Sequence, residues 1–293
     1  MVHGSKALVA SIDRYVTVEA ELHDPGYIES RALGERTPLD SPVGRLAPIA
    51  LSISPLLKER KVALKIRSEI PMSSGLGSSA ATCVAAVKAV ATLLDLELTQ
   101  EEIYELAMRG ERLVHGRPSG VDVAISIWGG FMVYRKDETP TAFELEEKVE
   151  VAICNTGIER NTGKMVAKVS AFGEKRPELF SSLVETVDLL VDESVRALKG
   201  YELERLGALM NFNHEALKLV GASIPELDRI VYGSRDLCYG SKLTGAGGGG
   251  CTIHLIDPTR KEKLMNFLKK GCREAMIVQT GIPGAKSWRV EDE

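Results

Sequence analysis

The architecture of this chain is read most directly from the segment Pro71-Met72-Ser73-Ser74-Gly75-Leu76-Gly77-Ser78-Ser79-Ala80-Ala81. The residues before it, 62–70, alternate between apolar and charged side chains, which is the pattern of a half-buried β-strand. The residues after it, up to Leu94, are apolar nearly all round and predict a helix at the centre of the protein. The segment is therefore predicted to be a glycine-containing loop that leads from a strand into a buried helix.

A loop of this kind has a chemical use, because the first N–H groups of a helix lack partners and the helix dipole attracts anions there. Gly75 and Gly77 let the backbone approach a phosphate closely, and Ser78 and Ser79 can bind phosphate oxygens or Mg²⁺. The loop is not a Walker A sequence, since no G-K-[ST] closes it. Taken alone, it leaves two interpretations open: a phosphate-binding loop, or a tight turn with a serine as helix N-cap.

A second glycine-rich loop reads Lys242-Leu243-Thr244-Gly245-Ala246-Gly247-Gly248-Gly249-Gly250-Cys251. Its spacing Gly245-x-Gly247-x-x-Gly250 matches the dinucleotide fingerprint, which requires a helix directly afterwards. The residues that follow, 251–256, instead have the composition of a strand, so the fingerprint and an oxidoreductase are disfavoured. Four consecutive glycines indicate a loop that lies flat against a ligand or another backbone.

The third informative segment runs from Gly110 to Asp122 and supplies two carboxylates. Glu111 lies near the end of a helix that is predicted from Gln100 to His115 by the capping box Thr99/Glu102. Asp122 follows a Gly-Pro-Ser-Gly turn region. Two such carboxylates can divide the work between a metal ion and a proton, or they can be solvated surface acids; position alone favours the second interpretation.

Composition narrows the class of protein. Apolar residues make up 44% of the 293 residues and charged residues 27%, and 37 Lys and Arg stand against 41 Asp and Glu. No basic patch tracks a nucleic-acid backbone, and no apolar run is long enough to span a membrane. The five cysteines form no C-x-x-C pair, and the N-terminus lacks the apolar core of a signal peptide, so we expect a soluble cytoplasmic protein without a nucleic-acid or membrane partner.

Strand and helix patterns alternate without a strict βαβ order, which predicts an α+β fold in two lobes. The stretch from Leu8 to Leu22 has the composition of extended chain, and residues 136–140 are the best candidate linker. We therefore predict an N-terminal lobe, 1–140, which binds ATP if the first loop holds phosphate, and a C-terminal lobe, 141–293.

Together the three segments resemble the superfamily of galactokinase, homoserine kinase, mevalonate kinase and phosphomevalonate kinase (GHMP kinases). The first loop is similar to that superfamily's P-x-x-x-G-L-G-S-S-A-A motif. Two further segments, 110–122 and 242–251, resemble the mevalonate kinase family's G-E-x-x-x-H-G-x-P-S-G-x-D and K-L-T-G-A-G-G-G-G-C. Asn155-Thr156, Arg160-Asn161-Thr162 and Met210-Asn211…His214 are weaker matches in the same order.

The resemblance implies a two-lobed GHMP kinase fold, with an S5-like N-terminal lobe, a ferredoxin-like C-terminal lobe and the active site in the cleft between lobes. It implies ATP- and Mg²⁺-dependent phosphorylation of mevalonate to 5-phosphomevalonate, in the mevalonate route to isoprenoids. The implied roles are phosphate binding by 71–81, Mg²⁺ binding by Ser79 and Glu111, and proton acceptance from the mevalonate hydroxyl by Asp122. Ser119 would support the region around Asp122, and Thr162 would contact mevalonate. The site near the phosphates would be lined by Gly245, Ala246, Gly247 and Gly248.

The chain departs from the family at its start. The family's first motif, P-G-K-hydrophobic-x-x-x-G-E-H-x-V-V-x-G, is represented only by its end, Met1-Val2-His3-Gly4, so its Lys, Glu and His have no counterpart. We expect a missing edge strand and a reading frame that begins further upstream. Phosphomevalonate kinase, a mevalonate 3-kinase and an inactive nucleotide-binding relative remain alternatives, and a homodimer is left open.

Overall fold

The computed structural model describes residues 4–71, 75–116, 118–136, 138–159 and 162–290. The described residues form two compact units: 4–13, 75–76 and 131–282 make the first, and 14–71, 77–130 and 283–290 make the second. The residues Met1–His3, which carry part of the predicted N-terminal departure, lie outside the described residues.

Nine α-helices occur in the described parts of the chain, and two 3₁₀ turns accompany them. The helices are α1 (Ala47–Leu57), α2 (Ser78–Leu93), α3 (Gln100–His115), α4 (Val121–Trp128), α5 (Thr162–Lys175), α6 (Pro177–Lys199), α7 (Leu203–Leu219), α8 (Pro225–Ser234) and α9 (Lys261–Gly271).

Eleven β-strands occur in the same ranges. They are β1 (Ala7–Ala10), β2 (Val16–Leu22), β3 (Tyr27–Ser30), β4 (Glu35–Pro38), β5 (Val62–Ser68), β6 (Phe131–Tyr134), β7 (Thr141–Phe143), β8 (Glu150–Asn155), β9 (Gly240–Leu243), β10 (Cys251–Leu255) and β11 (Glu274–Gln279). The mixture of helix and sheet in both units confirms the predicted α+β class.

The second unit is built around α2. Its sheet has the order β2-β5-β3-β4, in which β3 and β5 are parallel and the other neighbours antiparallel. Helix α2 contacts β2, α1, α3 and α4, and its buried residues belong to the largest hydrophobic core, as its apolar composition predicts. Tight packing of α3 on this core depends on Gly110, where a Cβ would lie 2.5 Å from the Pro48 carbonyl oxygen. The predicted capping box of α3 is confirmed, since Thr99 Oγ1 accepts from Glu102 N and Glu102 Oε2 accepts from Thr99 N.

The first unit contains two sheets. The smaller has the order β1-β6-β7 and the larger, antiparallel throughout, has the order β11-β8-β10-β9. Apolar residues of α8 and α9 cover one face of the larger sheet. On its other face a small cluster forms around Ile153, Cys251 and Val278. Helix α7 packs along β9, which is an edge strand of this sheet.

The stretch from Leu8 to Leu22, predicted as extended chain, forms two strands rather than one continuous strand. It is broken into β1 and β2, which pair with β6 and β5 in different sheets and belong to different units. Alternation alone does not reveal such a break, because each part retains the composition of a strand.

The two units are also interleaved along the chain, whereas the predicted lobes 1–140 and 141–293 meet at one boundary. The division into an ATP-binding lobe, 1–140, and a C-terminal lobe, 141–293, remains a proposal. Among the described residues, none of the helices combines the length and the apolar character that crossing a membrane requires.

Candidate active site

The N-terminus of α2 has no side-chain cap among the described residues. Its N-cap residue is Gly77, which has φ +72° and leaves the first N–H groups of the helix without a capping side chain. Ala81 N donates the first backbone hydrogen bond of the helix, to the Gly77 carbonyl at 2.9 Å. The N–H groups of Ser78, Ser79 and Ala80 come before this bond and have no acceptor within the helix. The interpretation of this loop as a turn capped by serine is therefore wrong.

Predicted loop residues differ in what they can offer a ligand. Ala80 is only 1% exposed and its side chain packs in the core, so it can offer only its backbone N–H. Ser78 and Ser79 are half-buried at the start of the helix. Met72, Ser73 and Ser74 lie outside the described residues, and the half-buried Pro71 ends the segment before them.

The structure brings Asp122 next to the start of α2. A Cβ placed on Gly77 would lie 3.4 Å from Asp122 Cβ, 3.5 Å from its Cγ and 3.6 Å from its Oδ1. Asp122 is exposed and lies in the first turn of α4, whose N-cap is Gly120 at φ +84°. Ser119 lies at the same turn, with its Oγ 3.5 Å from Val121 N. A carboxylate thus faces the helix N-terminus at which the sequence predicts phosphate binding.

Glu111 occupies an unusual position for a carboxylate. It is only 4% exposed, its Oε2 lies 3.7 Å from His115 Nε2, and its Oε1 is buried without a hydrogen-bond partner among the described residues. A buried carboxylate oxygen without a donor is costly, and a bound cation is one way to satisfy it. The interpretation of Glu111 as a solvated surface acid is therefore wrong.

Glu111 and Ser79 lie on α3 and α2, two helices that pack against each other. The charge of Glu111 contributes to raising the pKa of the Cys83 thiol, which burial lifts to about 12. Cys83 is four residues after Ser79, so both side chains lie on one face of α2. The two predicted Mg²⁺ ligands therefore belong to one helix–helix contact in the second unit.

The second glycine loop connects β9 to β10 in the first unit. Gly248 N donates to the Ala222 carbonyl at 2.9 Å, and Gly250 N donates to the Ile158 carbonyl at 3.0 Å. Gly247 has φ +79°, and a Cβ there would lie 2.0 Å from the Ala222 oxygen. This close approach explains why the loop requires glycine at position 247. Earlier in the loop, Gly245 is exposed and Ala246 is half-buried.

Thr162 lies close to this loop. It is the first residue of α5, and Met165, almost one turn later, packs so tightly that its Sδ would lie 2.5 Å from a Cβ on Gly248. Leu76 of the first loop also belongs to this unit, where it packs against Ile153, Cys251 and Val278. Residues that the sequence assigns to phosphate and substrate are thus assembled within the first unit as well.

Sequence reasoning assigned no role to a polar network beside the second loop. Ser241 N donates to Asn211 Oδ1 at 2.9 Å, and Leu243 N donates to His214 Nδ1 at 3.3 Å. His214 is fully buried and its Nε2 lies 3.2 Å from Asp228 Oδ1. The only signal in the sequence was the weak match at Asn211 and His214, which says nothing about a strand thirty residues away.

The described residues contain no cluster of three or more His, Cys, Asp or Glu side chains that could hold a metal ion by themselves. A hard cation such as Mg²⁺ does not need one, because it binds through one or two protein oxygens together with substrate phosphates. The single buried oxygen of Glu111 fits that requirement.

Comparison with known proteins identifies the same regions. The family model for the N-terminal domain of GHMP kinases matches residues 47–130, and the model for the GHMP kinase C-terminal domain matches residues 194–274. The chain therefore belongs to the GHMP kinases, ATP-dependent small-molecule kinases whose two domains it contains in order.

Full-length relatives define the family more closely. A mevalonate kinase of Thermococcus sibiricus is 34% identical over 100% of this chain and 94% of its own length. The crystal structure of Leishmania major (L. major) mevalonate kinase in complex with R-mevalonate has a TM-score of 0.83 and 28% identity, covering 97% of this chain and 92% of that one. Methanococcus jannaschii mevalonate kinase has a TM-score of 0.82 at 25% identity, covering 96% and 92%. The chain is a member of the mevalonate kinase family.

Proposed function

We propose that this chain transfers the γ-phosphoryl group of ATP to the 5-hydroxyl group of mevalonate and requires Mg²⁺. The observation that carries the proposal is the position of the Asp122 carboxylate beside Gly77, the glycine N-cap of α2. Phosphoryl transfer needs little covalent chemistry from a protein, so positioning and charge stabilisation are the main requirements.

The first loop and the start of α2 bind the phosphates in this proposal. The N–H groups of Ser78, Ser79 and Ala80 point along the axis at the positive end of the helix dipole, where anions are stabilised. Gly77 has no side chain, so a phosphate can approach the backbone closely. Gly245–Gly248 are proposed as further phosphate-binding backbone, as the resemblance implies.

Glu111 and Ser79 hold Mg²⁺ in this proposal. The fit rests on the buried Glu111 Oε1, which has no donor among the described residues. When bound, the ion neutralises charge that develops on the phosphate oxygens. The carboxylate and hydroxyl of the chain would hold it together with phosphate oxygens and water.

Asp122 accepts or orients the proton of the attacking hydroxyl. Its carboxylate is exposed and fixed by the first turn of α4, so an acceptor alcohol can reach it. Ser119 supports the turn that carries this carboxylate, and Thr162 contacts mevalonate. A general base placed in this way contributes typically ~10²–10⁴-fold to a rate.

An ADP-release assay tests the proposal. The chain is incubated with ATP and Mg²⁺, and with either mevalonate or 5-phosphomevalonate as acceptor. We expect ADP release with mevalonate and at most background release with 5-phosphomevalonate. Release only with 5-phosphomevalonate, or binding of ATP without turnover of either acceptor, would overturn it.

Two finer features of the proposal concern the state of the protein. We propose a cytoplasmic enzyme, supported by five cysteines that are all free thiols in the structure. Light scattering after gel filtration decides between a monomer with a mass near 32 kDa and the homodimer that the sequence leaves open.

A further inference from the structure

Lys242 lies on the face of the larger sheet that the helices α8 and α9 leave uncovered. Its neighbours in β9, Ser241 and Leu243, are fully buried, and Ser241 Oγ donates to the Val231 carbonyl in α8. Since side chains alternate along a strand, Lys242 points to the opposite face. Across the sheet it pairs with Ile253 of β10.

This face is the one that carries part of the first glycine loop. Ile253 packs with the cluster of Ile153, Cys251 and Val278, and Leu76 packs against the same cluster. Leu76 follows Gly75 directly in the loop, so the sheet face that presents Lys242 is also the surface on which this loop is anchored within the first unit.

Among the residues that the structure describes, none is a partner of the Lys242 ammonium group. The residue is half-buried, and among the described residues it makes no hydrogen bond, ion pair or other charge interaction. Burial lowers its pKa from 10.5 to about 8, with no carboxylate to oppose the effect. A half-buried cation without a counter-charge is costly, and an anion from outside the chain would relieve that cost.

The backbone on both sides of Lys242 is held in place by α7. The N–H groups of Ser241 and Leu243 point away from β10 and would be unpaired at a sheet edge. Asn211 Oδ1 and His214 Nδ1 accept from them instead, and Asp228 in turn accepts from His214 Nε2. Lys242 therefore projects from a fixed stretch of strand rather than from a mobile loop.

We propose that Lys242 is an anion-binding residue whose ammonium group binds an oxyanion of one of the two reactants. The ligand is either a phosphate oxygen of ATP or the carboxylate of the acceptor, since a compact ammonium donor suits both. This inference rests on the proposed function and adds a ligand contact that the resemblance does not assign.

The test compares Lys242→Met with Lys242→Arg and with Lys269→Met, which removes an exposed lysine on α9. KM is measured for ATP and for mevalonate. In Lys242→Met we expect KM for one of them to rise about 10-fold or more, the scale of a charged hydrogen bond. Arginine restores part of the loss, and the α9 control stays at the wild-type value. A rise in KM for ATP identifies a phosphate, and a rise for mevalonate identifies the carboxylate.

Thermal unfolding separates this role from a structural one. Lys242→Met removes an unpaired half-buried cation, so its melting temperature should equal or exceed that of the wild type while its affinity falls. Retained KM values for both reactants, or a lower melting temperature with both KM values raised equally, would overturn the proposal.

Calorimetric titration of each variant with Mg-ATP and, separately, with mevalonate keeps the inference independent of turnover. If the wild type binds but does not turn over, the proposed function fails, while weaker binding by Lys242→Met still supports the anion contact. Equal binding of both ligands by wild type and Lys242→Met contradicts the anion contact even when the wild type is active.

Discussion

Asp122 is an exposed carboxylate that the fold places beside the glycine at the start of α2. Gly77 and Asp122 are 45 positions apart in the chain, and the contact arises because α4 packs on the N-terminal part of α2. The contact between Asp122 and Gly77 has a role in catalysis only if a ligand binds between the helix N-terminus and the carboxylate.

Replacement of this carboxylate tests its role. In Asp122→Asn the shape is kept while the charge and the base are lost, so we expect kcat to fall by at least ~10²-fold with little change in nucleotide affinity. Steady-state kinetics and ATP titration measure both. The matched control is Asp40→Asn, an exposed aspartate that lies in neither α2 nor α4. Turnover at the wild-type rate in Asp122→Asn would end the assignment of a proton acceptor.

Glu111 gives a prediction about metal dependence. Glu111→Gln replaces an anionic oxygen ligand by a neutral one, so the Mg²⁺ concentration for half-maximal rate should rise. Ser79→Ala should act in the same direction but less, and Glu105→Gln, on the exposed face of α3, should not act at all. The measurement is a Mg²⁺ titration of the initial rate at fixed ATP. Unchanged Mg²⁺ dependence in both site variants would mean that these residues are structural.

His254 predicts how stability depends on pH. It is fully buried between Ser234 Oγ at 2.9 Å and Thr252 Oγ1 at 2.8 Å, and burial lowers its pKa from 6.5 to about 3. Between these values the unfolded chain binds a proton that the folded chain does not. The free energy of unfolding therefore falls as pH falls below about 6.5, with a contribution of roughly 1.4 kcal/mol per pH unit.

Denaturant unfolding at a series of pH values checks this. We expect the curve for His254→Asn to be flatter than that of the wild type between pH 6 and 5, where carboxylates add little. The matched control is His23→Asn, which replaces an exposed histidine. His214, whose pKa burial also lowers, contributes in the same direction and remains in all three proteins. Parallel curves for His254→Asn and wild type would show that this histidine does not control acid stability.

At the scale of elements, the contact between α7 and β9 determines how the second glycine loop is presented. A Cβ on Gly207 would lie 2.1 Å from the Tyr239 oxygen, and one on Gly240 would lie 2.0 Å from the Gly207 oxygen. Helix and strand thus pack backbone against backbone, and Asn211 and His214 reach the strand edge because of this approach.

Gly207→Ala should separate the two elements. We expect a loss of about 1–3 kcal/mol in the free energy of unfolding, the usual scale of overpacking. Gly271→Ala is the matched control, because a Cβ at this helical position has only Ile230 nearby, at 3.8 Å. It should raise stability by about 0.5–1 kcal/mol. Chemical denaturation measures both, and equal stability of Gly207→Ala and wild type would contradict the close packing.

Some elements could be predicted from the sequence and others could not. Helix α3 was predicted, because its capping box is a local signal and Thr99 and Glu102 form the expected hydrogen bonds. Helix α1 was not predicted, since Pro48 and Pro55 are breaker signals. Pro48 lies at the helix start, where proline is tolerated, whereas Pro55 lies inside the helix and removes one backbone hydrogen bond. Helix α5 was missed, and it has no buried residues whose periodicity could mark a packed face.

At the scale of the whole molecule, the two glycine loops and the two carboxylates were found from sequence because each is a compact motif. The surroundings of Lys242 were not predicted from the sequence, since they depend on Leu76, Ile253 and His214, which come from distant parts of the chain. The interleaving of the two units escaped prediction for the same reason: strand pairing between segments as distant as β1 and β6 leaves no local mark.

The central claim is that this chain phosphorylates the 5-hydroxyl group of mevalonate, and ³¹P and ¹³C NMR of the reaction products test it most directly. The purified chain is incubated with ATP, Mg²⁺ and mevalonate. We expect ADP and one phosphomonoester in equal amounts, with the phosphorus coupled to the carbon at position 5. Coupling to the carbon at position 3, or ADP accompanied only by inorganic phosphate, would contradict the account.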